Sequence, residues 1–218
     1  MKQGIRILLI GFALLLGNKV FAVPMVYTDE ASWLAAIGAA TVTTEDFEGT
    51  ATGSLLEGVN DVGAFNVNVT GAASCTFCAI SPGGAFGSIN NNHELTQFIN
   101  PGSQASDIVY EFDTSILGFA GEWAVTADFD HVLATINGTT FNFDTVLGNP
   151  GTGFVGFVDL AGFNNIDFAV GNGAGGAGEY WVLDDAQLAT ASVPEPASIL
   201  LMGLGLIGFG FARRKSAT

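Results

Sequence analysis

Between Phe65 and Val170 apolar and polar residues alternate in several short runs. Phe65, Val67 and Val69 alternate with Asn66, Asn68 and Thr70, and Ile108, Tyr110 and Phe112 with Asp107, Val109, Glu111 and Asp113. Trp123, Val125, Ala127 and Phe129 alternate with Glu122, Thr126, Asp128 and Asp130, and Ile166, Phe168 and Val170 repeat the pattern. A period of two with one wet face predicts antiparallel sheet rather than parallel α/β. Asn137-Gly138 predicts a two-residue hairpin, because both residues tolerate the positive φ of a type I′ turn. That turn pairs Ile136 with Thr139, Ala134 with Phe141 and Val132 with Phe143, which puts the apolar side chains on one face. Gly-, Asn- and Pro-rich stretches at 81–84, 90–92, 149–151 and 171–176 predict loops. Many short strands with such turns predict an all-β, antiparallel, jelly-roll-like β-sandwich.

Two departures from alternation are informative. Near the start a short helix is expected, with Thr28 as its cap, Asp29 and Glu30 at the positive end of the dipole, Trp33, Leu34 and Ile37 as an apolar side, and Gly38 as its end. Near the end, Trp181 and Leu183 share one parity while Ala186 and Leu188 have the other. A bulge at Asp184-Asp185 would return both pairs to one buried side and re-aim two carboxylates.

The two ends of the chain do not follow this pattern. Residues 1–22 have cations at Lys2 and Arg6, an apolar run from Ile7 to Leu16, and Val20-Phe21-Ala22 before a suitable cut, which predicts a secretory signal peptide. Residues 23–192 are then one domain, and 193–218 are a tail in three parts. Val193-Pro194-Glu195-Pro196 stops any element arriving from upstream. The uncharged apolar run 197–212 follows, and Arg213-Arg214-Lys215 stands where a membrane helix has its cytoplasmic end. At ~1.5 Å per residue that run reaches about 24 Å, short of a ~30 Å hydrocarbon core, so it is a marginal and temporary anchor.

This order of Pro-Glu-Pro, short apolar helix and Arg-rich end resembles the C-terminal tail of PEP-CTERM proteins of Gram-negative bacteria. The resemblance implies recognition by exosortase, a membrane transpeptidase-like enzyme, and export across the inner membrane. It further implies transient anchoring through the tail, then release to the cell surface or exterior, in the context of extracellular polysaccharide. Within the domain, Tyr180 to Leu188 resembles the closing strand of the β-sandwiches that precede many such tails. Glu45-Asp46-Phe47-Glu48-Gly49 resembles their opening strand, and Ile116 to Trp123 fits the middle. Similar jelly rolls in carbohydrate-binding modules bring first and last strands together, often around a structural calcium.

Charge sharpens this picture. All six Lys and Arg (Lys2, Arg6, Lys19, Arg213, Arg214, Lys215) lie outside residues 23–192, while twenty of the twenty-one acids lie inside. No carboxylate of the domain has a Lys or Arg partner, so each must be solvated, hydrogen-bonded or bound to an outside cation. Nucleic acid and anionic lipid are excluded as partners of such a surface. Calcium suits a site built wholly of oxygen ligands, and Glu45, Glu48, Asp184 and Asp185 are the candidates.

Little else suggests chemistry. Cys75 and Cys78 read as a short disulfide stapling a turn of an exported protein, since their flanks do not suit a redox helix and a zinc site lacks a second ligand pair. His93 and His131 lack metal-ligand spacing, and no nucleophile elbow or phosphate loop occurs. Asp128, Asp130 and Asp144 fall beside one hairpin, which leaves a carboxylate-dependent glycan-cleaving enzyme as the alternative to a non-catalytic module. Tyr180, Trp181 and Trp123 would stack on sugar rings if exposed, and pack the core if not.

Overall fold

The computed structural model describes residues 23–70, 78–82, 89, 92–99, 108–126, 131–148, 150–171 and 179–192. Outside them lie the expected signal peptide 1–22, Cys75, Asp128, Asp130 and the whole tail 193–218. The described strands are β1 (Met25–Tyr27), β2 (Thr41–Glu45), β3 (Gly53–Ser54), β4 (Gly58–Asp61), β5 (Asn66–Val69) and β6 (Ala79–Pro82). They continue with β7 (His93–Ile99), β8 (Ile108–Thr126), β9 (His131–Ile136), β10 (Thr139–Asn142), β11 (Gly151–Gly171) and β12 (Glu179–Thr190). Two helices, α1 (Glu30–Ile37) and α2 (Phe143–Leu147), accompany them.

Every strand pair is antiparallel and the strands form one continuous sheet. It becomes a sandwich because its two longest strands fold over together. The β8–β11 ladder runs from Gly151↔Val125 to Val158↔Gly118, slips to Phe163↔Ile116, slips again, and resumes from Asn165↔Glu111 to Phe168↔Ile108. Tyr110 and Trp123 lie on the same strand, yet their rings stack with centroids 6.5 Å apart. Thirteen residues of straight strand would separate them by about 43 Å. The fold therefore has a first layer, β4-β5-β8-β11-β9-β10, built on the first part of β8 and the last part of β11. Its second layer, β1-β11-β8-β12, is built on the other halves, with β7 beside the first half of β12 and β2 beside the second.

Aromatic rings fill the space between the layers. Trp123 lies 5.7 Å from Phe168 and 5.1 Å from Phe143, and Phe168 lies 5.7 Å from Trp181, all fully buried. Each such ring removes roughly 150–250 Å² from water, and these edge-on, tilted and stacked contacts add a little more. Tyr110 is buried with them, and its hydroxyl donates to Gln97 Oε1 at 2.7 Å. Burial raises its phenol well above the usual range.

Local expectations hold with some corrections. The Asn137-Gly138 turn has φ of 46° and 80°, with Ile136 opposite Thr139 and Ala134 opposite Phe141. Val132 does not pair with Phe143, because Asn142 caps α2 by accepting from the Asp144 N–H at 2.9 Å and turns the chain into a helix. The cap of α1 is Asp29, whose carboxylate accepts from the Ser32 N–H at 2.8 Å, rather than Thr28. Trp33 and Ile37 are buried and Leu34 is exposed, so the apolar side of α1 is narrower than expected. Ser81 and Pro82 end β6 instead of belonging to a loop.

Candidate functional site

The break in β12 is where the sequence pointed. Pairing with β8 slips between Asp184 and Gln187, Asp185 has φ of 47°, and Trp181, Leu183, Ala186 and Leu188 are all buried. Asp184 becomes buried and Asp185 exposed. Asp184 stands directly opposite Glu122, a like-charged pair that weakens the ladder locally. Burial, then the carboxylates of Asp185, Glu94 and Glu48, push the Asp184 carboxyl up to about 6, although the Asp185 N–H donates to it at 2.8 Å and lowers it. Glu122 is raised as well, by burial and then by Asp185 and Glu30.

The four expected calcium ligands divide between two roles. Glu45 ends β2 opposite Ala186, so the strands are neighbours, but its oxygens accept from the Phe47 N–H and the Ala64 N–H, each at 3.0 Å. It clamps a turn in which buried Phe47 has φ of 56°. Asp46 to Gly49 form this turn rather than continuing the strand. Glu48 accepts from the His93 N–H at 3.0 Å and is an electrostatic neighbour of Asp184. Sequence reasoning missed Glu94, a fully buried acid on β7 that accepts from the Ile89 N–H at 2.8 Å. Leu95, Thr96 and Gln97 beside it are buried too, so no alternation marks it. Among the described residues, no group of three or more His, Cys, Asp or Glu is placed to hold a metal ion.

Trp123, Trp181 and Tyr180 are buried, so they pack the fold and offer no ring to a sugar. His131 Nδ1 pairs with Asp144 across β9 and α2. Cys78 is disulfide-bonded, and Cys75, the chain's other cysteine, lies outside the described residues. Among the described residues no helix is long and apolar enough to cross a membrane.

Residues 192–215 match the family model described as the PEP-CTERM protein-sorting motif. This defines an exported protein sorted to the cell surface, with an antiparallel β-sandwich preceding the motif. No curated protein matches the chain. Similar solved structures include tandem CBM51 modules of the family 98 glycoside hydrolase from Streptococcus pneumoniae, at 13% identity and a TM-score of 0.41. That match covers 71% of this chain, which spans about half (49%) of the tandem structure. A mutant of the family 29 carbohydrate-binding module CBM29-2 matches at 13% identity and a TM-score of 0.35, over 72% of this chain and 99% of that one. The CBM51-2 and INT domains of Clostridium perfringens ZmpB match at 12% identity and a TM-score of 0.33, over 65% and 30%.

Proposed function

We propose that this protein is an exosortase substrate whose β-sandwich works outside the cell as a non-catalytic module associated with extracellular polysaccharide. The observation that carries the reading is the place of the sorting motif. It begins at residue 192, two positions past Thr190, where β12 ends in the middle of the second layer. Processing near Pro194-Glu195-Pro196 then releases the sandwich intact, with no further domain between fold and tail. In this reading residues 1–22 are removed as a signal peptide, and run 197–212 holds the precursor in the membrane until exosortase reads the motif. Glu195→Ala should leave the precursor in the membrane fraction, because the helix remains while the tag is unread. Unchanged release of that variant contradicts exosortase processing.

Calcium enters the proposal at Glu45 or Glu48 with Asp184 or Asp185, and it would have to draw these side chains together, since Glu45 and Glu48 accept backbone N–H groups and no three of the described acids converge. What supports it is the mutual repulsion of carboxylates around Asp184 in a domain with no Lys or Arg to relieve it. Millimolar calcium should raise the Tm by mass action, and Asp184→Asn with Asp185→Asn should remove the shift. An equal shift with magnesium, or in the double variant, would show general screening instead.

A further inference from the structure

The chain enters and leaves the sandwich at the same end. Met25 of β1, Val158 of β11, Gly118 of β8, Ala189 of β12 and Val42 of β2 stand in one row across the second layer. Val23 and Ser192 lie beyond that row on the same side, because β1 runs antiparallel to β11 while β12 runs parallel to it. Three strand spacings, about 14 Å, separate β1 from β12. Val23, Met25 and Leu160 at this end are 69%, 57% and 59% exposed, and they make up half of the large apolar side chains exposed among the described residues. Helix α1 runs toward the same end, with Trp33 over Gly156 and Ile37 over Gly118, and passes into Gly38-Ala39-Ala40-Thr41. Of residues 23–24, 38–41, 114–118, 159–162 and 190–192 there, only Asp159 has an ionisable side chain. It is buried and accepts from Asn137 Nδ2 and the Ala161 N–H. The exposed acids nearby, Asp61 and Asp113, belong to the first layer beside the fold of β8.

We infer that this end of the second layer lies against the lipid bilayer while the tail holds the precursor, with Val23, Met25 and Leu160 at the interface; the inference rests on the membrane-held precursor proposed above and sets its orientation. Length enforces proximity. The six residues 191–196 between Thr190 and run 197–212 span at most about 20 Å, and only residues 23–24 separate segment 1–22 from β1. Both apolar segments of the sequence therefore leave from one side of the domain and reach one membrane without the chain crossing the sandwich. Charge selects the face. Residues 23–192 carry twenty acids and no Lys or Arg, and a carboxylate loses hydration at a bilayer whereas an apolar side chain gains by leaving water. The uncharged rim of the second layer can approach the lipid, and Asp61 and Asp113 tilt the first layer away from it. The contact needs little affinity of its own, because the tether supplies a high local concentration, and it is released when the tail is cut.

The test places a tryptophan at either end of one strand. Leu160 and Thr152 are both exposed positions of β11, and their separation in sequence corresponds to about 26 Å of strand. Leu160→Trp and Thr152→Trp are each made in the full chain and reconstituted into phosphatidylcholine vesicles, with and without lipid brominated high on its acyl chains. Trp33, Trp123 and Trp181 are buried in every variant, so the parent's emission is subtracted. Brominated lipid should cut the added emission of Leu160→Trp about twofold or more and leave that of Thr152→Trp unchanged. Met25→Trp, on the neighbouring strand, should repeat the Leu160→Trp result, and an unchanged Tm shows that each variant folds. Equal quenching at Leu160→Trp and Thr152→Trp, quenching at Thr152→Trp alone, or none at either in vesicles that carry the protein overturns this orientation while the membrane-held precursor stands. A full chain that does not float with the vesicles overturns both.

Discussion

The two layers share a core but differ on their outer faces. The first layer is wet outside, so its strands alternate cleanly: Val67 and Val69 inward, Asn66 and Asn68 outward. The second is covered on both sides. Helix α1 lays Trp33 and Ile37 over Gly118, Ala120, Gly156, Val158 and Ala189, and the Trp33 indole N–H donates to the Phe157 carbonyl at 3.1 Å. Farther along, Tyr180, Val182 and Ala124 form another small cluster on that outer side. Strands buried on both faces lose alternation, and Val155 to Asp159 are buried without a break. The uncovered face meets water, and on it amides, carboxylates and hydroxyls stand among Val59, Val109 and Leu133.

The largest effect is expected from removing the cover of the second layer. Trp33→Ala should cost ~3–5 kcal/mol in urea unfolding, because a fully buried indole leaves a cavity beneath α1. Gly156→Ala should cost ~1–3 kcal/mol, since a Cβ there would lie 2.4 Å from the Trp33 ring. A loss near zero for both would mean that α1 is not docked, and the contrast between layers would fail.

An intermediate effect is expected at the first layer's hairpin. Asn137 Nδ2 donates to Asp159 Oδ2 at 2.7 Å and to the Gly162 carbonyl at 3.0 Å, tying the turn to the fold in β11. Asn137→Ala should cost about 1–3 kcal/mol, since it strains a positive φ and leaves buried Asp159 with one partner fewer. Asn137→Gly, which relieves only the strain, should recover part of the loss.

The acidic bulge gives a pH dependence of opposite sign to a salt-bridged carboxylate. Asp184 has its carboxyl at about 6 in the fold against an ordinary 3.8. Stability from its protonation is complete below about pH 4 and lost as pH rises through about 6. The Tm should therefore be higher near pH 5 than near pH 7.5, and Asp184→Asn should flatten the difference. A Tm that falls on acidification over that range would contradict the account of Asp184. The smallest effect belongs to the wet face: Asn68→Ala should change stability by no more than ~0.5 kcal/mol in the same unfolding assay.

The same contrast explains what the sequence revealed. Where one face meets water, parity alone located Phe65 to Val69 and Ile108 to Phe112, and the parity change between Leu183 and Ala186 located the bulge. Asn137-Gly138 was legible because its turn chemistry is local. Glu94 was not, since a buried acid among buried neighbours breaks no pattern, and Phe47 was not, since its turn depends on Glu45 reaching both Phe47 and Ala64. The fate of Trp123, Tyr180 and Trp181 depended on the fold of β8 and on what covers each layer, which no local pattern states. Nor did any local signal show that the outward residues of four strands would align into rows.

In the proposed reading a signal peptide and a sorting tail are both removed, leaving this sandwich outside the cell. Intact-mass analysis of the native extracellular form tests it most directly. The account predicts a chain that begins at Val23 and ends near Pro194-Glu195-Pro196, without run 197–212. A secreted or surface form that retains the tail through Arg213-Arg214-Lys215 would contradict it.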